Sequence, residues 1–270
     1  MIARATAGAL VAAAIAIAAW RAGSLSRSGA GAAFLIGTMG IAAGWAWGAL
    51  LVIYFVSSSL LSRVGARVKS QRSGSIVEKT GARDATQVLA NGVVFAIAAA
   101  LQLIEPSVLW LAAGAGALAA SASDTWGTEI GMLSKSPPRM ITTWRVVPTG
   151  TSGGVSALGL AAIVSGTLFI ALAAWLVQGA SPGNVRVALA VSLGGLCGAL
   201  VDSIGGALWQ SRRFCAHCGS ATERLVHDCG SPTERAGGLG WLNNDGVNAA
   251  CTLVGALVAL GATVALELPR

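Results

Sequence analysis

The side chains able to do chemistry are few in this chain of 270 residues, and they gather in short stretches. Asp124 and Glu129 lie in SDTWGTEIG (123–131), where a run rich in Ala, Gly and Leu ends; they are two of only eleven carboxylates. Asp202 lies inside another apolar segment. Asp84, Gln87 and Asn91 begin a third, at spacings that keep them on one side of a helix. Asn243, Asn244, Asp245 and Asn248 open the last. Oxygen ligands of this kind suit Mg²⁺, which takes one or two carboxylates together with water and substrate phosphates. Asp124 and Glu129 are five residues apart, about 140° around a regular helix. They converge only if the helix opens at Gly127; otherwise they serve different ligands. The plain structural alternative is that each carboxylate pairs with a loop Arg and caps a helix end.

A phosphate needs a cradle as well as a metal. The stretch from Ser134 to Ser156 holds Lys135, Arg139 and Arg145, then Thr149-Gly150-Thr151-Ser152-Gly153-Gly154 before an apolar segment. Glycines let backbone N–H groups approach an anion, and a helix N-terminus attracts it. No Lys follows the glycines, so this is not a Walker A loop, and such a turn can also simply start a helix. Asp124-Thr125-Trp126-Gly127 is echoed by Asp202-Ser203-Ile204-Gly205, a short pattern compatible with a parallel repeat. Cys215, Cys218, His227 and Cys229 offer three sulfurs and one imidazole at knuckle-like spacing, a tetrahedral structural zinc set. Free thiols or a disulfide are the rivals; Cys197 and Cys251 read as packing residues.

The elements that must position these groups are membrane helices. Hydrophobic residues make up 54% and charged residues 11% of the chain, against about 25% charge in an ordinary soluble domain. Apolar segments near 4–20, 29–62, 86–104, 106–122, 152–178, 186–209 and 242–265 make this an all-α polytopic integral membrane protein of seven or eight spans. Eight result if 29–62 divides near Gly44. The first is expected to be a retained signal-anchor helix. The loops 21–28, 63–85, 123–151 and 210–241 carry 15 of the 18 Lys and Arg, leaving Arg4, Arg186 and Arg270. With eight spans all four basic loops are cytoplasmic by the positive-inside rule. The charge is therefore a topology signal with no nucleic-acid footprint. A basic stretch such as Arg63, Arg67, Lys69 and Arg72 would also suit anionic lipid head groups. The organisation expected is one membrane domain (1–270), with a basic loop (63–85), a phosphate-binding loop (123–151) and a Cys/His loop (210–241). The protein is expected in the cell membrane, with a cytoplasmic active face. Most of the tryptophans lie near span ends, as interface anchors do.

RDATQVLANG (83–92), SDTWGTEIG (123–131), ITTWRVVPTGTSGGVS (141–156) and GLGWLNNDGVN (238–248) resemble the transmembrane protein 19 family, which includes the phytyl-phosphate kinase of plants and cyanobacteria. The resemblance spans roughly residues 55–250. It implies phosphorylation of an isoprenoid monophosphate to its diphosphate by a nucleoside triphosphate, CTP or ATP. On chemical grounds Asp124, Glu129, Asp202 and Asp245 are the catalytic candidates, with Asp124, Asp202 and Asp245 as Mg²⁺ ligands. Lys135, Arg145 and the backbone of Thr149, Gly150, Thr151, Ser152 and Gly153 would neutralise the phosphoryl group, while Asp84, Asn91 and Asn244 would orient the acceptor or the metal-bound water. Phosphoryl transfer needs positioning and charge neutralisation more than a nucleophilic side chain. A transporter or flippase, whose intramembrane acids form a path across the bilayer, and a non-catalytic scaffold are the rival readings.

Overall fold

The computed structural model describes residues 2–74 and 76–267; Arg270 lies outside them, as does the side chain of Glu267. Eight long helices make up the bundle: α1 (Ile2–Arg21), α2 (Arg27–Ala43), α3 (Trp45–Arg63), α5 (Ala85–Ile104), α6 (Val108–Gly131), α7 (Ala157–Val177), α8 (Val185–Leu208) and α9 (Asn244–Glu267). A short α4 (Ala66–Ser73) follows α3. Among the described residues six segments are long and apolar enough to cross a membrane: those of α1, α3, α5, α7, α8 and α9. Of the other two, α2 has 17 residues and α6 ends in polar turns. The apolar stretch 29–62 is two helices, meeting at Gly44, which is extended and ends α2 as it begins α3.

The sequence shows why the helices start where they do. Ser26, Asp84, Ser107 and Ser156 each accept a bond from a first-turn backbone N–H, satisfying donors that a helix leaves open. Asp84 and Gln87 form a reciprocal capping box. The core centres on α6, where Ala112 through Ser123 is buried without a break. Small residues permit this. A methyl group at Gly116 would lie 2.5 Å from the Gly255 carbonyl, and one at Gly198 2.4 Å from Ala120. Such close approaches are how helices associate where lipid removes the hydrophobic driving force. Trp47 departs from the expected interface role: it is buried against Phe95, 5.4 Å between ring centroids.

The short turns 44, 105–107 and 178–184 fall at one end of the bundle. The longer connections 22–26, 64–84, 132–156 and 209–243 gather at the other. Two small sheets stiffen that end. β1 (Arg139–Met140) pairs antiparallel with β2 (Gly154–Val155). β3 (Arg212–Cys215) lies between β4 (Ser220–Thr222) and β5 (Glu234–Gly237). These strands were not legible in the sequence, being two to four residues long.

Candidate active site

A cavity of about 710 Å³ opens among the helix ends on the loop-rich side. Asp124, Glu129, Asp202 and Asp245 all line it, although they come from α6, α8 and α9. They differ in what neutralises them. Glu129 receives Lys69 Nζ at 2.5 Å, and the same ammonium donates to the carbonyls of Leu61 (2.8 Å) and Ser62 (3.0 Å). Lys69 is 5% exposed, so this is a buried pair that also closes the C-terminus of α3. Asp245, 5% exposed, accepts from Lys79 Nζ at 2.6 Å, and Lys79 reaches Asp84 at 3.0 Å. Burial opposes charge on Lys79, but the bonds to Asp245 and Asp84 outweigh it and raise its pKa. Asp84 is lowered, chiefly by the Gln87 N–H it caps.

Asp124 and Asp202 are different. Their carboxyls face one another, and among the described residues neither has an ion-pair partner. Asp202 Oδ2 is buried with no hydrogen bond, as is Asn248 Oδ1 on the same cavity wall. Leaving buried oxygens unpaired is costly, and these two are suited to accept from a donor or to ligate a cation. Helix α6 stays regular through Gly127. Asp124 and Glu129 accordingly diverge, the first towards Asp202 and the second towards Lys69.

Thr149 to Gly154 line the cavity beside this pair. Gly150 (φ 93°) and Gly153 (φ 77°) are left-handed, where a side chain strains the backbone. A methyl group on Gly153 would also sit 2.6 Å from Ala207 Cβ, so the loop is pressed onto the end of α8. Ser152 donates both its hydroxyl, at 2.5 Å, and its backbone N–H to the Glu223 carboxylate. Burial pushes Glu223 up to about 7, against the opposing pull of the Ser152 donors. The Ser152 donors of this loop are thus already taken by a carboxyl of the protein itself.

Two expected groups are elsewhere. Lys135 and Arg145 are exposed and take no part in the cavity wall. The cations of the wall are Arg63, Lys69, Lys79 and Arg83. The sequence had offered the first and second of these to topology or lipid head groups. Lys79 and Glu223 carried no motif, and only their scarcity in a greasy chain hinted at them. Asn244 lines the cavity. Asn91 does too, but it is engaged: its Oδ1 accepts from Ser121 Oγ (2.6 Å), which meets Tyr54 Oη at 2.7 Å.

The Cys/His loop lies over the same end. The ligand atoms of Cys215, Cys218, His227 and Cys229 all lie within 4.8 Å of one another. Cys215 and Cys229 sulfurs are 3.7 Å apart, against about 3.8 Å for two thiolates on tetrahedral zinc with Zn–S near 2.3 Å. His227 presents Nδ1 to Cys229 Sγ at 3.2 Å, and its Nε2 meets Ser220 Oγ at 3.3 Å, the outer partner that usually orients a ligating imidazole. His217 is exposed and outside the group, and all five cysteines are free thiols. These residues fit a structural zinc ion. From the knuckle, Glu223 N–H donates to Ile76 O (2.8 Å) and Arg224 Nε to Val77 O (2.7 Å). The knuckle thus holds the segment that carries Lys79.

An apolar helical bundle with a polar cavity at one end defines an integral membrane protein with an internal site. Residues 10–256 match the family described as Integral membrane protein DUF92, and the chain belongs to that family. It is 35% identical to Protein PGR of Arabidopsis thaliana over 83% of this chain and 84% of that one. It is 31% identical to an uncharacterized membrane protein of Methanocaldococcus jannaschii, over 78% and 74% of the two chains. Protein VTE6, chloroplastic, of Arabidopsis thaliana is 27% identical over 87% of this chain and 64% of its own. No solved structure matches. The resemblance read from the motifs therefore holds, and it extends N-terminal of residue 55 through α1, α2 and α3.

Proposed function

We propose that this protein is a membrane-embedded phosphotransferase that converts an isoprenoid monophosphate to its diphosphate with a nucleoside triphosphate. The carrying observation is the Asp124–Asp202 pair, unpaired with any cation among the described residues and set beside a glycine-rich anion cradle. Two facing carboxylates, one with an unpartnered oxygen, on a wall that also carries the unpartnered amide oxygen of Asn248, fit Mg²⁺. When bound, the ion would neutralise charge on the donor phosphates. Asp124 and Asp202 would hold it, while Lys79 and Asp245 keep their mutual contact and orient the wall. Ser152, through its N–H and hydroxyl, would take a phosphoryl oxygen in place of Glu223. Arg63 and Arg83 sit where they can offset the remaining charge. The distribution of Lys and Arg supports a cytoplasmic position for this end, where CTP or ATP is available.

The kinase reading also rests on the resemblance to the phytyl-phosphate kinase family. A transport path would need polar groups through the bundle. The acids instead cluster at one end, and Glu105 at the other is exposed and outside the cavity. Purified protein with γ-labelled CTP or ATP, Mg²⁺ and a panel of prenyl monophosphates should yield labelled diphosphate, and Asp124→Asn and Asp202→Asn should not. No labelled diphosphate from any acceptor, with the cellular role surviving both substitutions and lost in Cys218→Ser, would favour the scaffold reading.

A further inference from the structure

The cavity does not stop at the carboxylates. Below them it continues into a wedge between α2 and α3, walled on one side by α1. The lining there changes to Ala12, Ala16, Ile36, Gly37, Leu51 and Val52, with no charged group. α2 and α3 meet at Gly44, and residues of both line this part of the cavity. Its floor is tight: a methyl group on Gly48 would lie 2.5 Å from Ile41, and one on Gly40 3.1 Å from Phe95. From Gly48 to Arg63 at the charged mouth is about 22 Å at the helical rise.

We infer that this wedge is the binding site for the single apolar tail of a lipid monophosphate, with Ile41 and Gly48 setting the longest chain it accepts. The inference rests on the phosphotransferase reading for the head group, and on the cavity itself for the tail. One continuous space with cations and carboxylates at its mouth and aliphatic walls below is complementary to an amphiphile with an anionic head. Its total volume of about 710 Å³ lies within the range of small-ligand sites. Ala12, Ala16 and Gly37 line the wedge with small side chains, and α1 packs closely on α2 there, a methyl group on Gly37 lying 3.0 Å from Ala12 Cβ.

The test separates tail from chemistry. Geranylgeranyl monophosphate carrying a diazirine at its far end is photolysed with the full-length protein without nucleotide, and adducts are mapped by mass spectrometry. Adducts within residues 41–52 are expected, and Val52→Trp should abolish them. In transfer assays Val52→Trp should lower kcat/KM for geranylgeranyl monophosphate at least about tenfold, while leaving dimethylallyl monophosphate within about twofold. Ile41→Ala, which lowers the floor, should move the adducts deeper and guards against misfolding of the tryptophan variant. Adducts on the outward faces of α7 or α8, or equal losses for both acceptors, overturn the inference. Adducts at the floor with no transfer from any donor would sustain the tail site and sink the kinase reading instead.

Discussion

Glu129 was grouped with the catalytic acids by its sequence neighbours, and its contacts assign it another task. Replacing Lys69 by Met removes a buried ammonium 2.5 Å from Glu129 and strips donors from the carbonyls of Leu61 and Ser62. The side chains are 6% and 18% exposed, so solvent screens the pair little. Breaking a buried pair from one side costs about 3–5 kcal/mol, because the other charge is left uncompensated. Two lost backbone hydrogen bonds add about 1 kcal/mol each. Removing Glu129 as well, in Lys69→Met/Glu129→Gln, should recover most of the first sum and none of the second. The single variant should therefore be destabilised by about 5–7 kcal/mol and the double by about 2–3 kcal/mol, read as a double-mutant cycle by reversible SDS unfolding in mixed micelles. Glu129→Gln alone should retain phosphoryl transfer in the folded fraction. Asp124→Asn should keep its stability and lose at least about 100-fold in transfer, since even partners behind a metal ligand are worth 10–100-fold. If Glu129→Gln abolishes transfer as completely as Asp124→Asn while unfolding is unchanged, the division of the acids into a structural and a reactive pair is wrong.

Three further outcomes follow from the geometry. One zinc per chain should be found by metal analysis; Cys218→Ser should remove it and loosen protection of the 76–79 amides in hydrogen exchange, whereas Cys197→Ser should leave both unchanged. Glu223, held near 7 from an ordinary value of 4.5, binds its proton more tightly in the folded state. Its contribution to stability should fall as pH rises from about 4.5 to 7, and anion affinity at the cradle should rise as pH falls through 7; Glu223→Gln should flatten both profiles, read by unfolding and by pyrophosphate competition. Gly153→Ala, which combines a left-handed φ of 77° with a 2.6 Å approach to Ala207, should cost about 1–3 kcal/mol and weaken nucleotide binding more than Gly179→Ala, which meets no neighbour.

Much of the bundle was legible before any coordinates. Length and apolarity of segments fix membrane helices because an unsatisfied backbone cannot remain in hydrocarbon, and cap residues such as Ser26, Asp84 and Ser156 mark the starts by local bonds alone. The glycine at 44 divided the longest apolar run where it was expected to. The four zinc-type ligands were legible for the same reason: their spacing along the chain is short, so the loop must bring them close.

Pairing between distant segments was not legible. Nothing local distinguishes Asp124 from Glu129, yet one meets Asp202 and the other Lys69, sixty residues earlier. Lys135 and Arg145 looked suited to phosphate by proximity to the glycines, but both are exposed and outside the cavity wall. The cations that do reach the cavity come from the 63–83 connection, and Glu223 comes from the knuckle. Which charge neutralises which depends on how helix ends are packed around α6. That packing is set by close contacts such as Gly116 on Gly255 and Gly198 on Ala120, which relate residues far apart in the chain and leave no local pattern in it.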